Sequence, residues 1–280
     1  MRRWGLVLVL IVIALVQQFL GGDDGPRRPP VEDAPRSVPT LPPRPGEQRP
    51  GIVIKGGLKQ TDATGTAFAV TAQGPLLTAA HVTDGCERVG VLANERARSP
   101  NLARAVLTHP VADAALIELS HRGPPLPLGD DRSLRRGDDG FSFGYPRARP
   151  GAVHGTLMGR DTARRDEGGG TFPVLVWADA DRDPENDLPL SGLSGGPVLD
   201  RNGRVVGILV AGSERRGVFM STTMAPVREL LAQGNVTPDP AAVAEPIAVN
   251  GFGRYGERLR DNLSVAFAVC RVARGPSRRG

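Results

Sequence analysis

Lysine and cysteine are nearly absent from this 280-residue chain, and aromatic residues make up only 4% of it. Two cysteines, Cys86 and Cys270, are too few for a disulfide-built scaffold. Neither Cys-x-x-Cys nor His-Glu-x-x-His occurs, so no metal and no cofactor are expected. Of the 35 basic residues only Lys55 and Lys59 are lysine, an arginine excess that looks like genome-wide codon bias. Outside the last ten residues the basic groups form no stripe, so the formal net charge of +5 makes no case for nucleic-acid binding. Few aromatics together with Gly 36 and Pro 26 favour many turns and short strands over a helical bundle, and 40% apolar content suffices for a core.

Met1-Arg2-Arg3 precedes an apolar run from Trp4 to Val16, extended by Phe19 and Leu20. At about 17 residues the run is at the short end for a spanning helix. Phe19 and Leu20 stand where a cleaved signal would carry small residues, which favours an uncleaved signal anchor over a signal peptide for residues 1–20. Arg2 and Arg3 before the run, with Asp23 and Asp24 after it, put the N-terminus in the cytoplasm. The rest then lies periplasmic or extracellular, single-pass anchored, or secreted if the segment is cleaved. Residues 21–50, crowded with proline and charge, read as an extended linker.

From Gly51 short apolar runs alternate with turn residues: Ile52–Ile54, Gly65–Val70, Leu76–Thr78, Val89–Leu92 and Ala114–Leu119. After an irregular stretch, 120–137, a second set runs from Phe141 to Met220, and Ala225–Leu231 reads as a closing helix. The pattern predicts an all-β protein of two antiparallel barrels, 51–125 and 138–235. Residues 236–280 read as a C-terminal extension without an assigned role. Within it Tyr255, Leu259, Leu263, Phe267 and Cys270 fall on one helical face, while Val265, Phe267 and Val269 alternate as in a strand.

The stretch Gly192-Leu193-Ser194-Gly195-Gly196-Pro197 is what a serine nucleophile needs on a tight turn. Its glycines let the chain bend and let successive N–H groups converge on one point, as oxyanion stabilisation requires. Upstream, Leu77-Thr78-Ala79-Ala80-His81-Val82 presents a histidine at a strand end, and Asp113 opens the apolar run Ala114–Leu119. Over about residues 51–232 these motifs, in the order His, Asp, Ser, resemble the trypsin-like (chymotrypsin-fold) serine peptidases, in particular the bacterial HtrA/DegP-like branch.

The resemblance implies two antiparallel six-stranded barrels with the site in the groove between them, and a serine endopeptidase acting on proteins or peptides. It implies Ser194 as nucleophile, His81 as its base, Asp113 as the acid that orients the imidazole, and the N–H groups of Gly192 and Ser194 as the oxyanion hole. It places the floor of the specificity pocket at Leu188 and its wall at Val210, Ala211 and Gly212. With no acid at that floor, a small or medium apolar residue is expected before the scissile bond. Leu193 stands where zymogen-activated trypsins carry an aspartate, so activation by cleavage before Ile52 is not expected. No PDZ-like domain fits after residue 235.

The run Asp179 to Asp187 reads as a solvated acidic loop, with a modulating Ca²⁺ as the alternative; Pro184 and Leu190 break the EF-hand pattern. His109, His121 and His154 read as structural. Cys86 and Cys270 either pair in an oxidising compartment or stand as two thiols. The rival function, from another class, is a catalytically latent protease-fold module that binds peptides without turnover.

Overall fold

The computed structural model describes residues 52–54, 61–166, 170–185 and 189–273, all within the unit Pro50–Gly280. The anchor and linker assigned to 1–20 and 21–50 lie outside these residues, as does Leu188. No helix among the described residues is long and apolar enough to cross a membrane.

After β1 (Ile52–Ile54), the chain forms β2 (Ala63–Ala69), β3 (Leu76–Thr78), the single-turn helix α1 (Ala80–Thr83), β4 (Arg88–Leu92), β5 (Asn101–Leu102), β6 (Ala105–Thr108) and β7 (Ala115–Glu118). The second half contributes β8 (Asp139–Gly144), β9 (Gly151–Arg165), β10 (Thr171–Asp183), β11 (Pro197–Leu199), β12 (Val205–Ser213) and β13 (Val218–Thr222). The helices α2 (Met224–Gln233) and α3 (Phe252–Asp261) and the strand β14 (Val265–Arg271) follow. The architecture is the chymotrypsin-like, mostly β fold.

The C-terminal sheet runs β1-β9-β10-β13-β12-β11-β8, and β8 pairs back onto β9, closing six of its strands into a barrel. The N-terminal sheet runs β5-β4-β14-β2-β3-β7-β6 and curls without edge-to-edge pairing between β5 and β6. Its open side is bridged by the chain itself: the Ala103 N–H donates to the Val89 carbonyl and the Arg104 N–H to the Glu118 carbonyl. Between the sheets, buried Asp131 in the crossover accepts the Met224 N–H at the start of α2 (2.9 Å) and a hydrogen bond from Arg160 (2.7 Å).

Two segments run differently from the sequence reading. β1, expected in the first barrel, instead pairs in parallel with Ala163–Arg165 of β9 in the second. The segment 236–280, expected as an extension, returns to the first sheet and supplies its central strand. β14 pairs antiparallel with β2 on one side and with β4 on the other. Val265 to Cys270 are all buried, so both faces of the strand are covered, with Val265, Phe267 and Val269 on one and Ala266, Ala268 and Cys270 on the other. Each of its buried valines and Phe267 stabilises by about 1.5–3 kcal/mol. The helical face and the alternation seen in the sequence are both present, but in succession, α3 and then β14. Asp179–Asp183 likewise do not loop out; they continue β10 against Ala152–Gly155, and Arg182 donates to Asp179.

Cys86, just after α1, and Cys270 of β14 are joined by a disulfide across a separation of 184 residues. On chain-entropy grounds a loop of that size is worth on the order of 5 kcal/mol against the unfolded state. His121 Nε2 donates to the Leu263 carbonyl (2.7 Å), tying the crossover to the turn between α3 and β14. His154 Nε2 lies 2.7 Å from Asp139 Oδ1, and Arg201 bonds the other oxygen of the same carboxylate. Burial works to raise the Asp139 pKa, but these two hydrogen bonds outweigh it and hold the carboxyl below its ordinary range.

If β14 is integral to the sheet, a chain ending at Ser264 loses cooperative urea unfolding monitored by circular dichroism; an appended extension would leave the transition unchanged. A second expectation concerns pH. Burial pushes the His121 imidazole below its ordinary 6.5, against the opposing hydrogen bond to Leu263. The unfolded chain therefore takes up this proton first, and His121 contributes stability that is present above the unfolded value and lost as pH falls through the folded one. The urea midpoint is expected to drop between about pH 7.5 and about pH 5, with a shallower drop in His121→Gln.

Candidate active site

Asp113 is fully buried, and its carboxylate is committed to His81 through both oxygens. Oδ1 accepts the His81 backbone N–H (2.8 Å), one of the orphan donors in the first turn of α1, and Oδ2 lies 2.6 Å from His81 Nδ1. One side chain thus fixes the backbone and the ring of His81 through Nδ1, which leaves Nε2 uncommitted among the described residues on a side chain that is 18% exposed. The turn that presents Asp113 is shaped by His109, whose Nδ1 accepts the N–H groups of Val111 (3.1 Å) and Ala112 (2.8 Å). That leaves the proton on His109 Nε2, 3.1 Å from Glu229 Oε2 on α2. The segment bearing His81 is held further by the Cys86–Cys270 disulfide and by an ion pair between Asp84 and Arg165 of β9.

The turn before β11 carries Ser194. Gly192 (φ 99°) and Gly195 (φ 87°) both adopt left-handed backbone, and neither has room for a side chain. A Cβ on Gly195 would come within 2.1 Å of the Thr66 carbonyl, and one on Gly192 within 2.5 Å of the Tyr145 carbonyl. Leu193, in the position where an aspartate serves zymogens, is 1% exposed and packs in the core of the C-terminal sheet. Hydrophobic burial therefore anchors this turn without an ion pair.

Thr66 on β2 fastens the turn to the opposite sheet. Its N–H donates to the Ser194 carbonyl (2.9 Å) and its hydroxyl to the Gly192 carbonyl (2.8 Å). The same hydroxyl accepts the Tyr145 N–H (3.1 Å), and the Thr66 carbonyl accepts from the Thr78 hydroxyl (2.7 Å). The Arg147 N–H holds the Ser191 carbonyl at 2.9 Å, which turns the following peptide so that the Gly192 N–H faces away from it. Arg147 (φ 45°) and Ala148 (φ 61°) are successive non-glycine residues in left-handed backbone, strain kept in place by this contact with the serine turn. Among the described residues the N–H groups of Gly192 and Ser194 have no hydrogen-bond acceptor, and the Ser194 hydroxyl has no partner either.

Val210, Ala211 and Gly212 lie along β12 as expected from the sequence. Leu190 covers this strand: a Cβ on Gly212 would meet the Leu190 side chain at 2.5 Å. Beside it opens a polar cavity of about 690 Å³ lined by Arg147, Asp179, Asp181, Arg182, Glu185 and Glu214. No cluster of His, Cys, Asp and Glu among the described residues is arranged to hold a metal ion. His109 and His121 make structural hydrogen bonds, and His154 forms its own couple with Asp139.

A model of the trypsin-like peptidase domain matches residues 65–208, just over half of the chain. The chain belongs to the trypsin-like peptidase family. Within that family it is similar to a protein of Pseudomonas savastanoi pv. phaseolicola described as a "probable periplasmic serine endoprotease DegP-like". The two are 28% identical over 183 residues, covering 65% of this chain and 36% of that one. A protein of Ectopseudomonas mendocina with the same description is 27% identical over 246 residues, covering 85% of this chain and 46% of its own. The chain thus spans less than half the length of these curated relatives. Among solved structures, the active form of the M. tuberculosis protease Rv3671c aligns with a TM-score of 0.51 at 21% identity, covering 71% of this chain and 97% of that one. That likeness is one of fold.

Sequence reasoning did not single out Thr66 or Tyr145, whose roles arise from contacts distant along the chain; it read His109 as structural, and the two N–H groups that His109 holds are local. Replacing Thr66 by Val keeps the shape but orphans the Gly192 carbonyl and the Tyr145 N–H. The expected cost is roughly 2–4 kcal/mol of stability. Thr66→Ser is expected to keep most of it; chemical denaturation of the two variants checks the difference.

Proposed function

We propose that the chain is a serine endopeptidase that cleaves peptide bonds through an acyl-enzyme intermediate. The observation that carries the reading is the doubly bonded Asp113–His81 pair standing beside a serine turn with two uncommitted N–H groups. In this mechanism His81 Nε2 takes the Ser194 hydroxyl proton as Oγ adds to the substrate carbonyl carbon. The Gly192 and Ser194 N–H groups receive the resulting oxyanion, each worth about 3–4 kcal/mol in the transition state. His81 then gives its proton to the departing amine, and water, activated by the same base, releases the acyl group. Asp113 holds the proton on Nδ1 so that Nε2 is free to act, and stabilises the imidazolium formed midway.

The apolar wall of Val210, Ala211 and Gly212, with Leu190 beside it, supports preference for a small or medium apolar residue before the scissile bond. The periplasmic descriptions of the relatives and the Cys86–Cys270 disulfide support an extracytoplasmic location. The second reading, a latent peptide-binding module, is favoured by the Ser194 hydroxyl making no hydrogen bond among the described residues. Catalytic contacts are often long without substrate and tighten when it binds.

A fluorophosphonate probe separates the two. Labelling of the full chain near neutral pH, abolished in Ser194→Ala, is expected for a peptidase; no labelling of either protein supports the latent module. Asp113→Asn is expected to lower kcat by about 10⁴-fold while the fold is retained, because the amide favours the wrong imidazole tautomer.

A further inference from the structure

The C-terminal segment that completes the first sheet also builds a cavity the proposed chemistry does not use. It has a volume of about 630 Å³ and lies between α3, the Ala93–Arg96 turn and the end of β8. A volume of this size is typical of sites for small organic ligands. Two of the groups lining it are buried and short of partners. Tyr145 is 1% exposed, and its hydroxyl has no hydrogen-bond partner among the described residues. Arg260 is 8% exposed, and among the described residues its guanidinium makes a single hydrogen bond, from Nη1 to the Gly151 carbonyl (3.1 Å). A guanidinium offers five N–H donors in a planar fork suited to a carboxylate. Leaving most of them dry and unpaired is costly, as is an unpaired buried hydroxyl. Both groups are supplied with what they lack by one planar anion.

The rim is acidic on balance, three carboxylates against the guanidinium of Arg96, which pairs with Glu95 (3.6 Å). Glu257 and Asp261 are exposed on α3, and Glu95 stands across from them beside Arg96. Such a rim repels a polyanion and attracts a cation. We propose that this pocket binds a ligand carboxylate on Arg260 and Tyr145, with a cationic group of the same ligand at the acidic rim, and that its occupant acts on the oxyanion turn through Tyr145. A basic amino acid and a short basic peptide with a free C-terminus share this chemistry. Burial pushes the Tyr145 phenol up to about 12, so its hydroxyl keeps the proton it would donate.

The route to the oxyanion turn is short. The Tyr145 N–H donates to the Thr66 hydroxyl, which donates to the Gly192 carbonyl. The Tyr145 carbonyl itself fills the space where a Gly192 side chain would stand. A ligand that bonds the Tyr145 hydroxyl therefore acts on the residue whose backbone shapes the oxyanion hole. This part rests on the reading of Ser194 as the nucleophile; the pocket does not.

The test titrates the full chain carrying Ser194→Ala by calorimetry with lysyl-alanine, its C-terminal amide, L-lysine and inorganic phosphate. Saturable binding of lysyl-alanine is expected, weakened about tenfold or more in the amide and in Tyr145→Phe, which removes the hydroxyl but keeps the packed ring. L-lysine binding as tightly as the dipeptide identifies the free amino acid as the source; weaker binding identifies a peptide. Equal affinity for acid and amide, equal affinity in Tyr145→Phe, or tighter binding of phosphate overturns the site. In a second arm, saturating lysyl-alanine is expected to change the rate of fluorophosphonate labelling of Ser194 in the otherwise unaltered chain and not in Tyr145→Phe. An unchanged rate overturns the coupling, whereas no labelling in any condition counts against the peptidase reading and leaves the binding result standing.

Discussion

The serine turn belongs to the C-terminal sheet by chain order, yet the hydrogen bonds of Thr66 bind it to the N-terminal one. Thr66 is fully buried in β2, so each of these bonds is made away from water and would be expensive to leave unmade. Its carbonyl ties to Thr78, two residues before α1 and the histidine, and its hydroxyl ties to Gly192 and Tyr145. The relative placement of His81 and Ser194 is therefore not a matter of two sheets happening to meet. It is set by one strand position that faces both.

Around that position the turn is held by mutually reinforcing means. Leu193 sinks into the second core, the Arg147 N–H pins the Ser191 carbonyl, and the strained pair Arg147 and Ala148 persists because this packing overdetermines it. A trypsin that waits for a new N-terminus supplies one long-range ion pair to organise the same turn. Here local burial and backbone hydrogen bonds hold the turn, while Ile52 pairs along β9.

The parts legible in the sequence were those with a short-range signature. His81, Asp113 and the Gly192–Pro197 turn each sit in a few residues whose composition is dictated by the local backbone. Most of the strand succession from β2 to β13, though not β5 or β6, was likewise readable from turn residues and short apolar runs. What escaped was set by pairing across the chain. Nothing in Val265–Cys270 says that its partners are Ala63–Phe68 and Arg88–Leu92, because alternation can suggest a strand but not what it pairs with. The Tyr255–Cys270 stretch mixed two periods because a helix and a strand follow each other within it. Thr66 looked like an ordinary residue because its hydroxyl acts on backbone groups brought in by tertiary structure. The acidic run from Asp179 was misjudged for a related reason: antiparallel pairing with Ala152–Gly155 overrode the low strand preference of aspartate.

The placement of β14 also orders events in time. Every other strand of the N-terminal sheet precedes it in the chain, yet it lies between β2 and β4. While a ribosome or an export channel still holds the C-terminal segment, β2 and β4 face each other across a gap with unpaired edges. Pairing across about 200 residues is slow to form and is reached last. The half of the molecule that carries the imidazole and its aspartate is thus incomplete until β14 has paired. An unpaired β14 leaves His81 and Asp113 on an open sheet, so the proposed chemistry waits for the most distant pairing in the fold.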